Sequence, residues 1–248
     1  MKKAIVLCVL TPICSFLFLI ACKKGSDTSS DVTVPLPEVF KKFSSTLQVY
    51  TEGNYVIIKT KGVPDHKSPY FPATDARYEA YNGSKPSFML NPNRIMEQSL
   101  TFKIPATPAA ASSKQATPLG PIGVSINGVP LFNQYAGPGT PLTNEINSFD
   151  QYNGHPQQSG QYHYHVEPLY ITAQKGKNGL IGFLLDGFPV YGPFENGVTL
   201  VSSGLDAYHG HTGVTADYPA GIYHYHITAD APYINGSGFW GTPGSVTQ

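Results

Sequence analysis

Short stretches of alternating apolar and polar residues run through this chain, and they predict β-strands rather than helices. Residues 46–51 and 55–60 show this alternation and flank Glu52-Gly53-Asn54, which is typical of a hairpin turn. Residues 99–104 predict another strand, whereas residues 105–121, rich in Pro, Ala, Ser and Thr, predict an exposed loop. Apolar stripes at helical spacing do not extend beyond two turns. The pattern therefore predicts an all-β fold with long loops.

The second half of the chain contains the same pattern twice. Residues 121–132 (PIGVSINGVPLF) match residues 180–191 (LIGFLLDGFPVY), and GQYHYH at 160–165 matches GIYHYH at 221–226. In each copy, an Asn-Gly or Asp-Gly pair lies between two apolar strands and favours a tight hairpin turn. We therefore expect a single domain with two tandem pseudo-symmetric repeats, at about 121–168 and 180–232, each a hairpin followed by a strand.

The amino terminus has the pattern of a secretory signal. Lys2 and Lys3 precede an apolar run, and the run ends in Leu-Ile-Ala-Cys at 19–22, which resembles a bacterial lipobox with Cys22 as the lipidated residue. An ordinary signal peptide and a short anchor helix are the alternatives. We expect a signal peptide at 1–21, a flexible tether at 22–39 and the β domain at 40–248. Lipid on Cys22 would anchor the protein to a membrane, which predicts the bacterial cell envelope, in particular the outer membrane.

Composition narrows the functional classes. The chain has 25 Gly, 22 Pro, 16 Tyr and 13 Phe but only 13% charged residues, as expected of a turn-rich β protein. Basic and acidic residues are balanced at 16 each, so no basic surplus indicates a nucleic-acid partner. The three cysteines are Cys8, Cys14 and Cys22, so the domain must be stabilised by a core and not by disulfides.

The histidines concentrate in the two repeats. Because side chains at i and i+2 point to the same side of a strand, His163 projects with His165, and His224 projects with His226. The tyrosines of these strands would point to the opposite side and cover a core. A Gly-His pair upstream in each copy adds a third imidazole, from His155 or His211. Three imidazoles are the ligand set of several catalytic zinc centres, so these six histidines predict metal binding.

The pattern leaves the number of ions and their other ligands open. Each repeat could bind its own ion, or the two strand pairs could face each other and share one or two ions. Asp150 and Asp206 could be ligands, could hold an imidazole in one tautomer, or could cap turns. His209 has no counterpart in the first repeat, and His66 lies in a Pro-Asp-His loop that could close over the site. Imidazoles with carboxylates suit zinc, copper, iron or nickel, and we expect a divalent transition metal, zinc or copper first.

These motifs resemble the YHYH-domain proteins, a family that is frequent among secreted bacterial proteins. The resemblance rests on GQYHYH at 160–165, on Phe149-Asp150 followed by Gly154-His155-Pro156, and on IGFLLDGFPVYG at 181–192. It covers about residues 60–235, and several blocks match in order. One departure is Tyr152, where other members often carry Cys, so a thiol ligand or a disulfide at this position does not carry over.

Three functions are compatible with these residues. The first is an envelope-anchored metal-binding lipoprotein whose open centre could support a metal-dependent reaction. No residue stands out as a general base, so no catalytic residue is assigned and enzyme activity stays undecided. The second is a binding module in which exposed aromatic residues, including Phe239-Trp240, stack on a small-molecule, glycan or peptide ligand. The third is a structural domain in which a closed metal site ties the repeats together.

Overall fold

The computed structural model describes Met1 and residues 34–248. The predicted signal peptide, the predicted lipidation site Cys22 and most of the predicted tether lie outside the described residues. Within the described part of the chain, no helix has the length and apolar character needed to cross a membrane.

Residues 34–248 form mainly short strands, which confirms the predicted all-β class with long loops. The strands are β1 (Gln48–Glu52), β2 (Tyr55–Thr60), β3 (Leu100–Pro105), β4 (Pro121–Ser125), β5 (Pro130–Phe132), β6 (Tyr135–Ala136), β7 (Thr140–Pro141), β8 (Gly154–Pro156), β9 (Tyr162–Tyr164), β10 (Leu180–Leu184), β11 (Pro189–Tyr191), β12 (Phe194–Glu195), β13 (Val198–Thr199), β14 (Gly210–Gly213), β15 (Ile222–His226) and β16 (Ser245–Thr247). The helices are α1 (Leu169–Lys175) and three 3-10 turns, Glu38–Lys42, Glu145–Ser148 and Ser202–Gly204.

A four-stranded antiparallel sheet joins the two ends of the domain. Its strand order is β1-β2-β3-β16. The hairpin predicted around Gly53 is formed by β1 and β2, and the strand predicted at 99–104 is observed as β3. Alternate residues of β3, Leu100, Phe102 and Ile104, are buried in the core. The C-terminal strand β16 pairs with β3, so the end of the chain is held in this sheet.

The two repeats are the two halves of an eight-stranded sheet, in the order β8-β9-β5-β4-β10-β11-β15-β14. In each half, the second hairpin strand runs parallel to the Tyr-His-Tyr-His strand, β5 with β9 and β11 with β15. The Gly-His strand, β8 or β14, pairs antiparallel with that strand on its outer side. The predicted pseudo-symmetry is therefore present in the strand pairing itself.

The halves meet at equivalent residues of β4 and β10. Val124 pairs with Phe183 across this antiparallel contact, and the two occupy the same position in their repeats. A pseudo-twofold axis therefore passes through this pair. The neighbouring Gly123 and Gly182 are required, because a Cβ atom on either would overlap the main chain of the facing strand.

The second tyrosine of each Tyr-His-Tyr-His motif is held by the hairpin turn of its own repeat. The Tyr225 hydroxyl donates to Oδ2 of Asp186 at 2.6 Å, and Nδ2 of Asn127 donates to the Tyr164 hydroxyl at 3.3 Å. Both tyrosines are fully buried, as predicted for the core side of these strands. The first residue of each Asn-Gly or Asp-Gly turn thus forms a hydrogen bond to the Tyr-His-Tyr-His strand (the motif strand) of its own repeat.

The buried Asp186 gives a pH-dependent stability. Burial raises the pKa of its carboxyl to about 6. Because the folded pKa exceeds the unfolded one, its contribution is fully present below about pH 4 and is lost as the pH rises through 6. We compare the free energy of unfolding of Asp186→Asn with that of the wild type. We expect this difference to shift in favour of the variant by about 2–3 kcal/mol when the pH is raised from 4 to 7.5. Urea unfolding with a chelator present measures this difference, and a difference that does not change with pH would contradict it.

Candidate metal centres

The six histidines predicted as ligands lie in two separate groups, one in each repeat. Each group contains three imidazoles and one glutamate, whose ligand atoms all lie within 4.8 Å of one another. The first centre is Glu145, His155, His163 and His165, and the second centre is Glu195, His211, His224 and His226. Of the two arrangements that the sequence left open, the structure has separate groups.

Strands β8 and β9 position the imidazoles of the first centre. His155 lies opposite His163 across the strand pair, and His165 follows two residues later. The Nε2 atom of His163 lies 3.0 Å from Nε2 of His155 and 2.9 Å from Nε2 of His165. Oε1 of Glu145 lies 3.1 Å from Nε2 of His155. Neighbouring ligand atoms of a tetrahedral zinc site are about 3.3 Å apart, so these atoms already converge as metal ligands do.

Hydrogen bonds at Nδ1 determine the tautomers in the first centre. Nδ1 of His165 lies 2.6 Å from the carbonyl oxygen of Asn133, and Nδ1 of His163 lies 3.1 Å from that of Gln161. Because a carbonyl oxygen only accepts, Nδ1 carries the proton in both neutral rings. The Nε2 atoms of these histidines therefore present lone pairs to each other.

A serine has the same effect on His155. The Ser148 hydroxyl donates to the carbonyl oxygen of Glu145 at 2.7 Å, so its oxygen accepts the Nδ1 proton of His155 at 2.8 Å. All three Nε2 atoms of the first centre are then acceptors with no donor among them. Buried acceptors in contact are unfavourable unless a cation lies between them. The arrangement is suited to a metal ion.

The second centre repeats this geometry on β14 and β15. Nε2 of His211 lies 3.1 Å from Nε2 of His224 and 3.1 Å from Nε2 of His226. Glu195 spans the group, with Oε2 3.1 Å from His211 and Oε1 3.2 Å from His224. The Nδ1 atoms of His224 and His226 bond to the carbonyl oxygens at positions equivalent to those in the first centre, Ile222 (3.0 Å) and Gly192 (2.9 Å).

The titration of the ligands favours cation binding. Burial lowers the pKa of His165 and of His226 to about 4, and it also lowers the pKa of His163 and His224. These rings are therefore neutral at pH 7, the state in which Nε2 can bind a metal. Burial raises the pKa of Glu145, but positive charge on the adjacent imidazoles would lower it by more, so the overall shift is downward; a metal ion in the same position would act in the same direction. The carboxylate is thus ionised.

The two glutamates were not predicted from the sequence. Glu145 begins a 3-10 turn, whereas Glu195 lies in β12, and the residue of the first repeat that corresponds to Glu195 is Ala136. Comparing the repeats reveals the histidines but not carboxylates that come from non-equivalent positions. A 3-10 turn and a short strand thus supply the same donor to two equivalent histidine groups. The repeated sequence alone does not explain this agreement, and a shared need for a carboxylate does.

Asp150 and Asp206 cap turns, one of the roles that the sequence left open. Oδ1 of Asp150 accepts the main-chain N–H groups of Tyr152 at 2.9 Å and Gly154 at 3.3 Å, and Oδ2 accepts the Tyr162 hydroxyl at 2.8 Å. Asp206 makes the equivalent bonds to Tyr208, Gly210 and Tyr223. Neither aspartate is part of a centre. Each instead fixes the first tyrosine of the motif beside a ligand.

His66 lies on the tyrosine side of β9 and is not part of either group. Its Nε2 lies 3.0 Å from the Tyr164 hydroxyl, and its ring packs against Tyr152 and Tyr170. The idea that its loop closes over a centre finds no support in this placement. The loop instead covers the tyrosines behind the ligand strand.

His209 occupies the left-handed position of the turn before β14. Its φ is 72°, and Asn153, its equivalent in the first repeat, has φ 66°. Its Nε2 lies 3.0 Å from the hydroxyls of Ser202 and Thr228. The ring therefore points away from the second centre's ligand set, of which it is not a member.

The predicted exposure of the Phe239-Trp240 pair is wrong for Phe239, and Trp240 is partly buried. Phe239 is fully buried, and Trp240 stacks on Tyr223 with ring centroids 4.4 Å apart. Phe239 belongs to the core, and Trp240 packs against the core through Tyr223.

Comparison with known proteins gives one match. The family model described as YHYH protein matches residues 101–201 and 194–238, which is more than half of the chain and includes all eight residues of the two centres. No curated protein and no solved structure matches the chain significantly.

The hydrogen bond from His155 to Ser148 predicts a measurable change in affinity. We expect Ser148→Ala to weaken metal binding at the first centre about 10- to 100-fold, because the imidazole loses the acceptor that orients it. Competition with a chromogenic zinc chelator measures the affinity. The second centre is an internal reference, and the exposed Ser159→Ala is the matched control. Wild-type affinity at the first centre of Ser148→Ala would argue against this role.

Proposed function

The chain belongs to the YHYH protein family, and we propose that it is a metal-binding protein with one divalent transition metal in each of its two centres. The observation that carries this proposal is the convergence of three Nε2 lone pairs in the first centre, whose Nδ1 protons are all donated elsewhere. The equivalent main-chain bonds in the second centre support the same conclusion. A buried set of acceptors of this kind is stabilised by a cation.

Zinc is the metal that the donors suit best, with copper second. All cysteines lie at or before position 22, so imidazole and carboxylate are the donors available to the domain. Zinc accepts three imidazoles and one carboxylate in a tetrahedron, and the compact spacing of Nε2 atoms near 3 Å matches that geometry. Copper binds imidazole with higher affinity but favours flatter arrangements.

A location at the cell envelope belongs to the same proposal. It is supported by the lipobox-like residues 19–22, which would place lipid on Cys22 and hold the domain at the bacterial envelope, on the outer membrane in particular. A metal that bridges two strands would also supply the cross-link that secreted domains commonly obtain from disulfides.

Metal content tests the proposal directly. We expect the tag-free chain, purified without added metal or chelator, to carry two zinc or copper ions by elemental mass spectrometry. His163→Ala and His224→Ala should each retain one ion, and the double variant none. His66→Ala, which changes a histidine outside both centres, should retain two. A metal-free wild type that stays so after soaking and desalting, or a double variant that still binds two ions, would refute metal binding.

Lipidation is tested separately from metal binding. We expect cells that express the full chain to incorporate labelled palmitate into it, and Cys22→Ser to abolish the label because the acylated thiol is missing. Cys14→Ser, which changes a cysteine within the apolar run, should remain labelled. Label on Cys22→Ser would show that this cysteine is not the anchor.

A further inference from the structure

The surroundings of the two centres differ although their ligands match. In the first centre, aromatic rings enclose the imidazoles: Phe132 stacks on His163 with centroids 3.9 Å apart, and Phe149 lies 4.7 Å from the ring of His155 and 5.7 Å from that of His165. All three histidines are buried. An ion held there is surrounded by protein on the side of its imidazoles.

The second centre is open to solvent on the side of His211, whereas His224 and His226 are buried. The side chain of His211 is 36% exposed, compared with 3% for its counterpart His155. The residue that corresponds to the enclosing Phe149 is Leu205, which is smaller and only partly buried. A cleft of about 150 Å³ adjoins the ligands, and its wall includes Glu195 and His226 themselves. Small molecules can therefore reach an ion in this centre.

The wall of this cleft contains apolar side chains beside polar ones such as Asn178, Asn196 and Thr215. Tyr191, Phe194 and Val214 contribute to it, and Phe194 and Val214 are 37% and 67% exposed. Exposed apolar side chains that border an accessible metal site favour a ligand with an apolar part.

The charge of the second centre indicates which group of the ligand would bind the ion. A divalent ion with three neutral imidazoles and Glu195 leaves one net positive charge at the cleft. That charge favours an anionic oxygen donor. Zinc can expand from four to five ligands, so Glu195 need not leave when the donor binds.

We propose that the second centre is a binding site for a small carboxylate, whose oxygen binds the ion and whose apolar part lies against Phe194 and Val214, whereas the first centre is structural. This inference rests on the proposed function, because it requires metal in the second centre. The inference places the small-molecule ligand in the second centre only, although the two centres have the same set of metal ligands.

Cobalt substitution tests the inference, because the visible absorption of Co²⁺ changes with its coordination number. We expect benzoate to change the cobalt spectrum of the wild type and of His163→Ala, which keeps the second centre, but not of His224→Ala, which keeps the first. Formate, which has the carboxylate but no apolar part, should bind at least tenfold more weakly than benzoate.

A cleft variant tests the apolar contact without touching a ligand residue. We expect Val214→Trp to occupy the cleft and weaken benzoate binding at least tenfold while cobalt content stays at two ions. Leu119→Trp is the control, since Leu119 is also exposed (52%) but lies in another loop. Benzoate affinity equal in these two variants would refute the placement of the ligand.

The outcomes separate the two proposals. A wild type that binds no cobalt, zinc or copper refutes metal binding and the inference with it. Two bound cobalt ions whose spectrum does not respond to benzoate, or a response that persists in His224→Ala, refutes the inference and leaves metal binding intact.

Discussion

The alternation of side chains along the Tyr-His-Tyr-His strands is the constraint on which the rest of the structure depends. Tyr162 and Tyr164 enter the core on one side of β9, and His163 and His165 therefore lie together on the other. A shift of one residue would place imidazoles in the core and phenols at the metal centre. The strand register that buries the tyrosines in the core therefore also brings the histidines together.

Hydrogen bonds complete this arrangement without help from a metal. Asp150 holds the hydroxyl of Tyr162, and Asn127 donates to that of Tyr164, so both turns of the repeat bind the motif strand. On the opposite side, main-chain carbonyl groups orient the imidazoles through Nδ1. The scaffold therefore sets the direction of each lone pair before an ion arrives, which reduces the cost of ordering the ligands on binding.

Much of the fold and of the two centres could be predicted from the local spacing of residues. The i, i+2 histidines, the hairpins around Gly128 and Gly187, and the repeats follow from strand periodicity and turn chemistry, and the structure contains all of them. The fourth donors could not be predicted, because Glu145 and Glu195 come from a 3-10 turn and a short strand at non-equivalent positions of the repeats. The turn-capping role of Asp150 also depends on main-chain N–H groups, whose directions only the folded turn defines. Long-range pairing, such as that of β4 with β10, leaves no local signal either.

The strand order affects the tendency of the protein to aggregate. β8 and β14 are the two outermost strands of the eight-stranded sheet, and each carries one ligand of a centre. Outermost strands are where sheets of different molecules join and aggregate. An ion bound by β8 and β9, or by β14 and β15, would fasten each such strand to its own sheet. Metal supply would then govern how readily these strands join the sheets of neighbouring copies at high protein concentration.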